Sequence, residues 1–296
     1  MSKKCRYSTI ITLIIFVLGL TSSVLAVSIS TNSEIPVVEN NQIVFKDKVL
    51  TSILDKKALP ILSPDKNKIA YVSRNSSSNF DDINILDLNT GKIKSINLEN
   101  ILYSVVMDFR WIDSKRIALT GHINPSLEVY VLVDANKCEL IGKYNGIGFK
   151  WDKYNKHLYY AKSSPYFSDI KGDSKIIRDE NEILYETDNK TEIIGGLGIS
   201  DNDQIAFFER DIDSKDTNLI LGGKNNNKIE NLKKIKWTDM IGDLSFSSEN
   251  ALNIDSEMFN TKFDTINYKV VEKSKVNKKG FNNEIEKNLQ ESLNHN

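Results

Sequence analysis

Apolar residues recur along this chain in short clusters, each opened by a polar turn and each too brief to carry ten residues of helical spacing. Five such phrases superimpose: residues 63–72 (SPDKNKIAYV), 111–119 (WIDSKRIAL), 151–160 (WDKYNKHLYY), 200–208 (SDNDQIAFF) and 247–254 (SSENALNI). Most are followed by a second strand and a turn of Asn, Asp, Gly and Lys, the chemistry of a hairpin. Residues 83–88 (INILDL) run into 89–92 (NTGK) and out through 93–98, and residues 128–133 (EVYVLV) run into 134–137 (DANK) and out through 138–144. A third hairpin is expected to join 183–185 to 191–194, and a fourth to join 218–221 to the strand at Ile229.

The turn aspartates Asp65, Asp113, Asp152 and Asp201 are separated by 48, 39 and 49 residues in turn. Units of this length with four strands each cannot bury their faces alone and stack around an axis, which predicts an all-β fold, a β-propeller of about five four-stranded blades. A strand covered on both faces has no need to alternate, and residues 69–72 (IAYV) and 204–208 (QIAFF) do not. The small Ala70, Ala118 and Ala206 would let neighbouring blades approach, and Trp111 and Trp151 would fill the gaps between them. The fifth unit shows only three clear strands, so residues 42–45 (QIVF) are expected to pair with it and close the ring.

The phrases SPDKNKIAYVS and INILDLNTGK resemble the repeat of TolB-type propellers, a WD-like family also found before the hydrolase domain of prolyl oligopeptidases. Ser63, Pro64, Asp65, Ile69, Ala70, Tyr71, Asp87, Leu88 and Gly91 carry the resemblance, with Asn67 near the usual Gly. The second unit keeps Asp113, Ile117 and Ala118, and the fourth keeps Ser200, Asp201, Ile205 and Ala206. The resemblance spans roughly residues 59–255 and implies a fold; its members include binding platforms, peptidase gates and ligand sensors, so it implies no single role.

The first residues follow another logic. Lys3, Lys4 and Arg6 precede an apolar run and a Val24-Leu25-Ala26 ending, which reads as a secretory signal cleaved after Ala26. The competing reading is an uncleaved anchor helix, since the apolar stretch approaches the ~20 residues that span a bilayer. Either way the remainder is expected outside the membrane, secreted or extracytoplasmic. The expected divisions are residues 1–26 signal or anchor, 27–40 linker, 41–273 propeller and 274–296 polar tail, disordered or a short helix. With 39 basic and 40 acidic residues the net charge is −1, which leaves no field to hold nucleic acid. Cys5 precedes the apolar run, so Cys138 alone belongs to the exported part; it forms no internal disulfide and no cysteine-type metal site.

No catalytic constellation emerges. The stretch 198–202 (GISDN) lacks the second Gly of a nucleophile elbow. Asp211, Asp213 and Asp216 suggest a calcium loop, but Lys215 stands where a ligand is needed, so no metal or cofactor is expected. The longest insertion, residues 163–181, carries Tyr166, Phe167 and Asp169 as candidate binding residues, because long loops on rigid scaffolds hold binding residues and aromatics anchor partners. The expected function is a noncatalytic binding module engaging a protein or cell-envelope component. The alternatives are a glycoside hydrolase using axial carboxylates, with Asp108, Glu209 and Asp243 as candidates, and a membrane-tethered sensor domain.

Overall fold

The computed structural model describes residues 34–74, 81–99, 101, 106–124, 127–162, 174–188, 190–225 and 227–276. Among them there are strands and no helix. A small sheet comes first, made of β1 (Val37–Glu39), β2 (Gln42–Phe45) and β3 (Lys48–Val49). The first four-stranded unit follows as β4 (Lys56–Leu62), β5 (Lys68–Arg74), β6 (Asp82–Asp87) and β7 (Ile93–Asn97).

The next seven strands form one sheet: β8 (Val106–Trp111), β9 (Arg116–Asn124), β10 (Leu127–Asp134), β11 (Glu139–Trp151), β12 (Leu158–Lys162), β13 (Lys175–Arg178) and β14 (Glu182–Glu186). It is two units sharing a strand, since β11 pairs with β10 through Gly146 and with β12 from Ile147 onward. The fourth unit is β15 (Thr191–Ile199), β16 (Gln204–Asp211), β17 (Thr217–Asn225) and β18 (Lys228–Trp237). The fifth is β19 (Asp243–Ser248), β20 (Ala251–Asp255), β21 (Phe259–Asp264) and β22 (Lys269–Lys275). Among the described residues every pairing is between sequence neighbours and antiparallel, so each unit is a meander built from local turns.

The repeated polar phrase is the turn into each second strand, and its side chains hold the backbone there. The Ser63 hydroxyl accepts from Lys68 N at 2.9 Å, Asp113 Oδ1 accepts from Lys115 N and Arg116 N at 2.8 Å each, and Ser200 Oγ accepts from Gln204 N at 2.9 Å. These are short polar side chains capping backbone N–H groups that a turn would otherwise leave unpaired.

Five apolar clusters glue the sheets in sequence order. Ile43 and Phe45 of the small sheet meet Ile69, Tyr71 and Leu86 of the first unit. The first unit's Ala70, Val72 and Ile83 then meet Ile117, Val129 and Val131 of the second. Ala118, Tyr130 and Leu132 face Phe149, Leu158 and Tyr160 of the third unit, and Tyr159 and Ala161 face Ile205 and Phe207 of the fourth. Ala206, Phe208 and Trp237 close on Leu244, Leu252 and Phe263 of the fifth. Because side chains alternate along a strand, Ile205 and Phe207 serve one interface and Ala206 and Phe208 the next. That division explains the unbroken apolar runs. It also places Ala70, Ala118 and Ala206 each against the following unit, as the sequence leads one to expect.

The tryptophans tie units together by hydrogen bonds as well as packing. Trp111 donates to the Ile61 carbonyl of the first unit at 3.2 Å, and Trp151 donates to the Tyr130 hydroxyl of the second at 2.7 Å.

Three expectations are corrected. The strand at residues 42–45 does not pair with the last unit; it pairs with β1 and β3 and covers the first unit's outer face. The fifth unit is complete, because residues 259–264 supply the strand that its polar sequence hides. Residues 183–185 and 191–194 do not pair: β14 ends the third unit and β15 begins the fourth, while the third hairpin turns at Asp179. β1 falls within residues 27–40, and β22 runs to Lys275. The N-terminal signal or anchor and residues 277–296 lie outside the described residues.

The last unit differs from the others in its far face. There Ser245, Asn253, Lys262 and Glu272 stand in one cross-strand row, where the preceding units carry apolar residues toward a neighbour. A polar row of this kind is suited to water, in the manner of a capping repeat.

Candidate functional site

The strand alternation that buries Phe109 between the first two units turns Asp108 and Arg110 to the opposite side of β8. Asp108 pairs with Thr120, and Thr120 with Tyr130, so one cross-strand row carries a carboxylate, a hydroxyl and a phenol. Glu128 stands two residues before Tyr130 on the same face.

Strand β11 supplies the other wall. Its register slips between Ile147 and Lys150, a bulge that coincides with its passage from the second unit to the third. Gly148 takes φ of +67° there, a left-handed conformation that a side chain resists, and a Cβ on it would meet Leu197 Cβ at 3.2 Å. The bulge sets Phe149 flat on Tyr130, with centroids 4.7 Å apart and planes 19° from parallel, and Tyr160 stacks beyond it at 5.3 Å. Lys150 follows at the rim.

Asp243 arrives from the fifth unit. It can do so because β15 and β19 approach closely through Gly196, at φ +56°, where a Cβ would lie 2.7 Å from the Gly242 carbonyl oxygen. The result is a cavity of about 360 Å³ shared by the second, third and fifth units. Asp108, Glu128 and Asp243 give it three carboxylates, Arg110 and Lys150 two cations, and Tyr130 and Phe149 an aromatic floor. Burial pushes the Tyr130 phenol above its ordinary range, so it stays a neutral hydroxyl.

Such a cavity can grip a polar group of mixed charge. Asp108 and Asp243 are solvent-exposed and share their space with two cations.

Of the three carboxylates singled out in the sequence, Asp108 and Asp243 converge here and Glu209 does not. Glu209 is buried between the third and fourth units, where Oε1 accepts from the Tyr185 hydroxyl at 2.8 Å and Oε2 from Lys234 Nζ at 3.1 Å. That is a structural ion pair. Tyr166, Phe167 and Asp169 lie outside the described residues. Arg110, Glu128, Tyr130, Phe149 and Lys150 escape sequence reasoning; the polar–apolar–polar order of Asp108, Phe109 and Arg110 was the available signal. The Asp211 loop is a turn whose carboxylate accepts from Asp213 N and Ser214 N at 3.0 and 2.8 Å. Among the described residues no group of three or more His, Cys, Asp or Glu is placed to hold a metal ion.

No protein-family model matches the sequence, and no curated protein matches it. Solved structures do. A prolyl endopeptidase is similar at 10% identity and a TM-score of 0.49 over 75% of this chain, which spans 36% of that protein's length. The β-propeller domain of the Trilobed protease from Pyrococcus furiosus is similar at 14% identity and 0.43, covering 74% of this chain and 70% of that one. TolB from Acinetobacter baumannii follows at 18% identity and 0.40, covering 76% and 56%. At these values the likenesses carry no argument of their own, and the architecture rests on the strand register of this chain.

Proposed function

We propose that the chain is an exported, noncatalytic binding module of the propeller type, built from five four-stranded blades. It engages a protein or cell-envelope component where the second, third and fifth units meet. The observation that supports this reading is the mixed-charge cavity over the Tyr130–Phe149 stack. Exposed carboxylates beside two cations serve recognition better than proton transfer. The test is crosslinking and pull-down from the native envelope with the parent chain and with Lys150→Glu and Asp243→Lys variants. A partner captured by the parent and lost by both variants is the expected result; equal capture by all three would move the site elsewhere.

One observation favours a second reading. Three acids from different strands line a single cavity, and a glycoside hydrolase uses a facing pair of carboxylates. Release of reducing ends from envelope glycans by the parent chain, abolished in Asp243→Asn, would establish that chemistry and displace the binding reading.

A further inference from the structure

The charges around the mixed-charge cavity do not cancel in place. Lys150 of the third unit and Asp243 of the fifth both line it, yet among the described residues neither side chain pairs with the other or with any further group. Each is set by its own sheet, Lys150 by the bulge at Gly148 and Asp243 by the close approach at Gly196, so the two stand apart. Arg110 and Asp108 of the second unit add an exposed cation and an exposed carboxylate to the same space.

An occupant of one sign meets opposition from the other. A bare anion would sit among three carboxylates, and among the described residues no group of three or more His, Cys, Asp or Glu is placed to hold a metal ion. An apolar group would strip water from charges and return nothing. A small ligand with an anion at one end and a cation at the other pairs with both kinds of wall at once. The cavity of about 360 Å³ is at the low end for ligand sites, which suits a group the size of an amino acid. In a simple amino acid the two charges flank one carbon and cannot reach walls that stand apart. A basic side chain carries its cation to the far end, and the lining's excess of carboxylate over cation favours that extra positive charge.

We propose that the cavity binds a basic amino-acid residue by its two charged ends. A free carboxylate meets Lys150 and Arg110, and the side-chain ammonium or guanidinium meets Asp243 and Asp108. The residue comes free or as the last of a partner's chain; the proposal rests on the binding reading above and gives that partner its chemistry.

The test titrates the full chain by calorimetry and NMR with L-lysine, N-acetyl-L-lysine, N-acetyl-L-lysinamide and N-acetyl-L-norleucine. Saturable binding of lysine or N-acetyl-lysine is expected, weakening as salt is raised. The amide lacks the carboxylate and the norleucine compound lacks the cation, so each should bind about threefold more weakly or worse. N-acetyl-lysine binding as well as lysine would assign the site to a chain end, and lysine alone to the free amino acid; either supports the proposal. Lys150→Met should reduce the preference over the amide, and Asp243→Asn the preference over the norleucine compound, with thermal midpoints unchanged. The proposal is overturned if no compound saturates, if the amide and the norleucine compound bind the parent as tightly as the lysine compounds, or if both variants keep the parent's preferences. Pull-down with the same variants keeps the two readings apart. Capture lost in the variants while no compound binds overturns this proposal alone, and a bound compound with no captured partner overturns the partner reading alone.

Discussion

Trp151 donates its indole N–H to the Tyr130 hydroxyl at 2.7 Å, joining the third unit to the second directly beneath the mixed-charge cavity. The Arg116 guanidinium lies over the same indole, 4.8 Å from the ring, so Trp151 is clamped from two sides. Trp151→Phe keeps most of the packing and loses the donor. It should cost about 1 kcal/mol, the net worth of one such hydrogen bond, read as a lower urea midpoint with an unchanged slope.

Gly148 is the conformational hinge of the shared strand. Gly148→Ala forces a side chain into the left-handed region and against Leu197, at a cost of about 1–2 kcal/mol for the backbone alone. Because Phe149 and Lys150 follow it, the variant should also lose partner capture by more than its stability loss explains. A pull-down at a temperature where both proteins are folded separates the two effects.

Ile43 is fully buried in the small first sheet, and its backbone N–H donates to Thr51 Oγ1 at 2.9 Å. Its role is to cover Ile69, Tyr71 and Leu86, not to close a ring. Ile43→Ala should therefore cost about 2–5 kcal/mol, the range for a large core residue cut to Ala. Calorimetry would show it; a shift within error would mean that this sheet is dispensable to the array.

Alkaline pH should unfold the protein through its tyrosines. Burial raises the Tyr71 phenol from 10.0 to about 12, with Asp55 adding to the effect, and burial likewise pushes Tyr130, Tyr144 and Tyr160 upward. Tyr185 is also raised, by burial first and then by its bond to Glu209. The folded state thus prefers the neutral phenol. Below pH 10 that preference costs nothing in either state and stability is complete; from 10 upward the unfolded chain ionises first, and the stability is lost as pH approaches about 12. The phenolate signal that a Tyr71→Phe variant lacks relative to the parent should appear together with loss of folded signal, whereas its appearance near pH 10 in a still-folded protein would contradict the burial.

The repeat was legible because turns and strands are local. Ser63, Asp113 and Ser200 bond to backbone groups a few residues away, so their chemistry is written beside the turns they make. The lack of polar–apolar alternation in residues 69–72 and 204–208 likewise announced strands buried on both faces. The fifth unit's far face misled for the opposite reason. A strand rich in Asn, Thr and Lys, such as residues 259–264, owes its pairing to β20 and β22 and carries little apolar signal itself.

The sequence by itself determined the all-β class, the repeating four-stranded unit and the interface roles of Ala70, Ala118, Trp111 and Trp151, because each follows from periodicity and turn chemistry within about 50 residues. Only the tertiary structure decided where the small first sheet packs and which charges meet. Asp243 is 135 residues from Asp108, and they share a cavity because Gly148 and Gly196 let separate strands come close. Convergence of that kind depends on how whole sheets stack, and no local pattern encodes it.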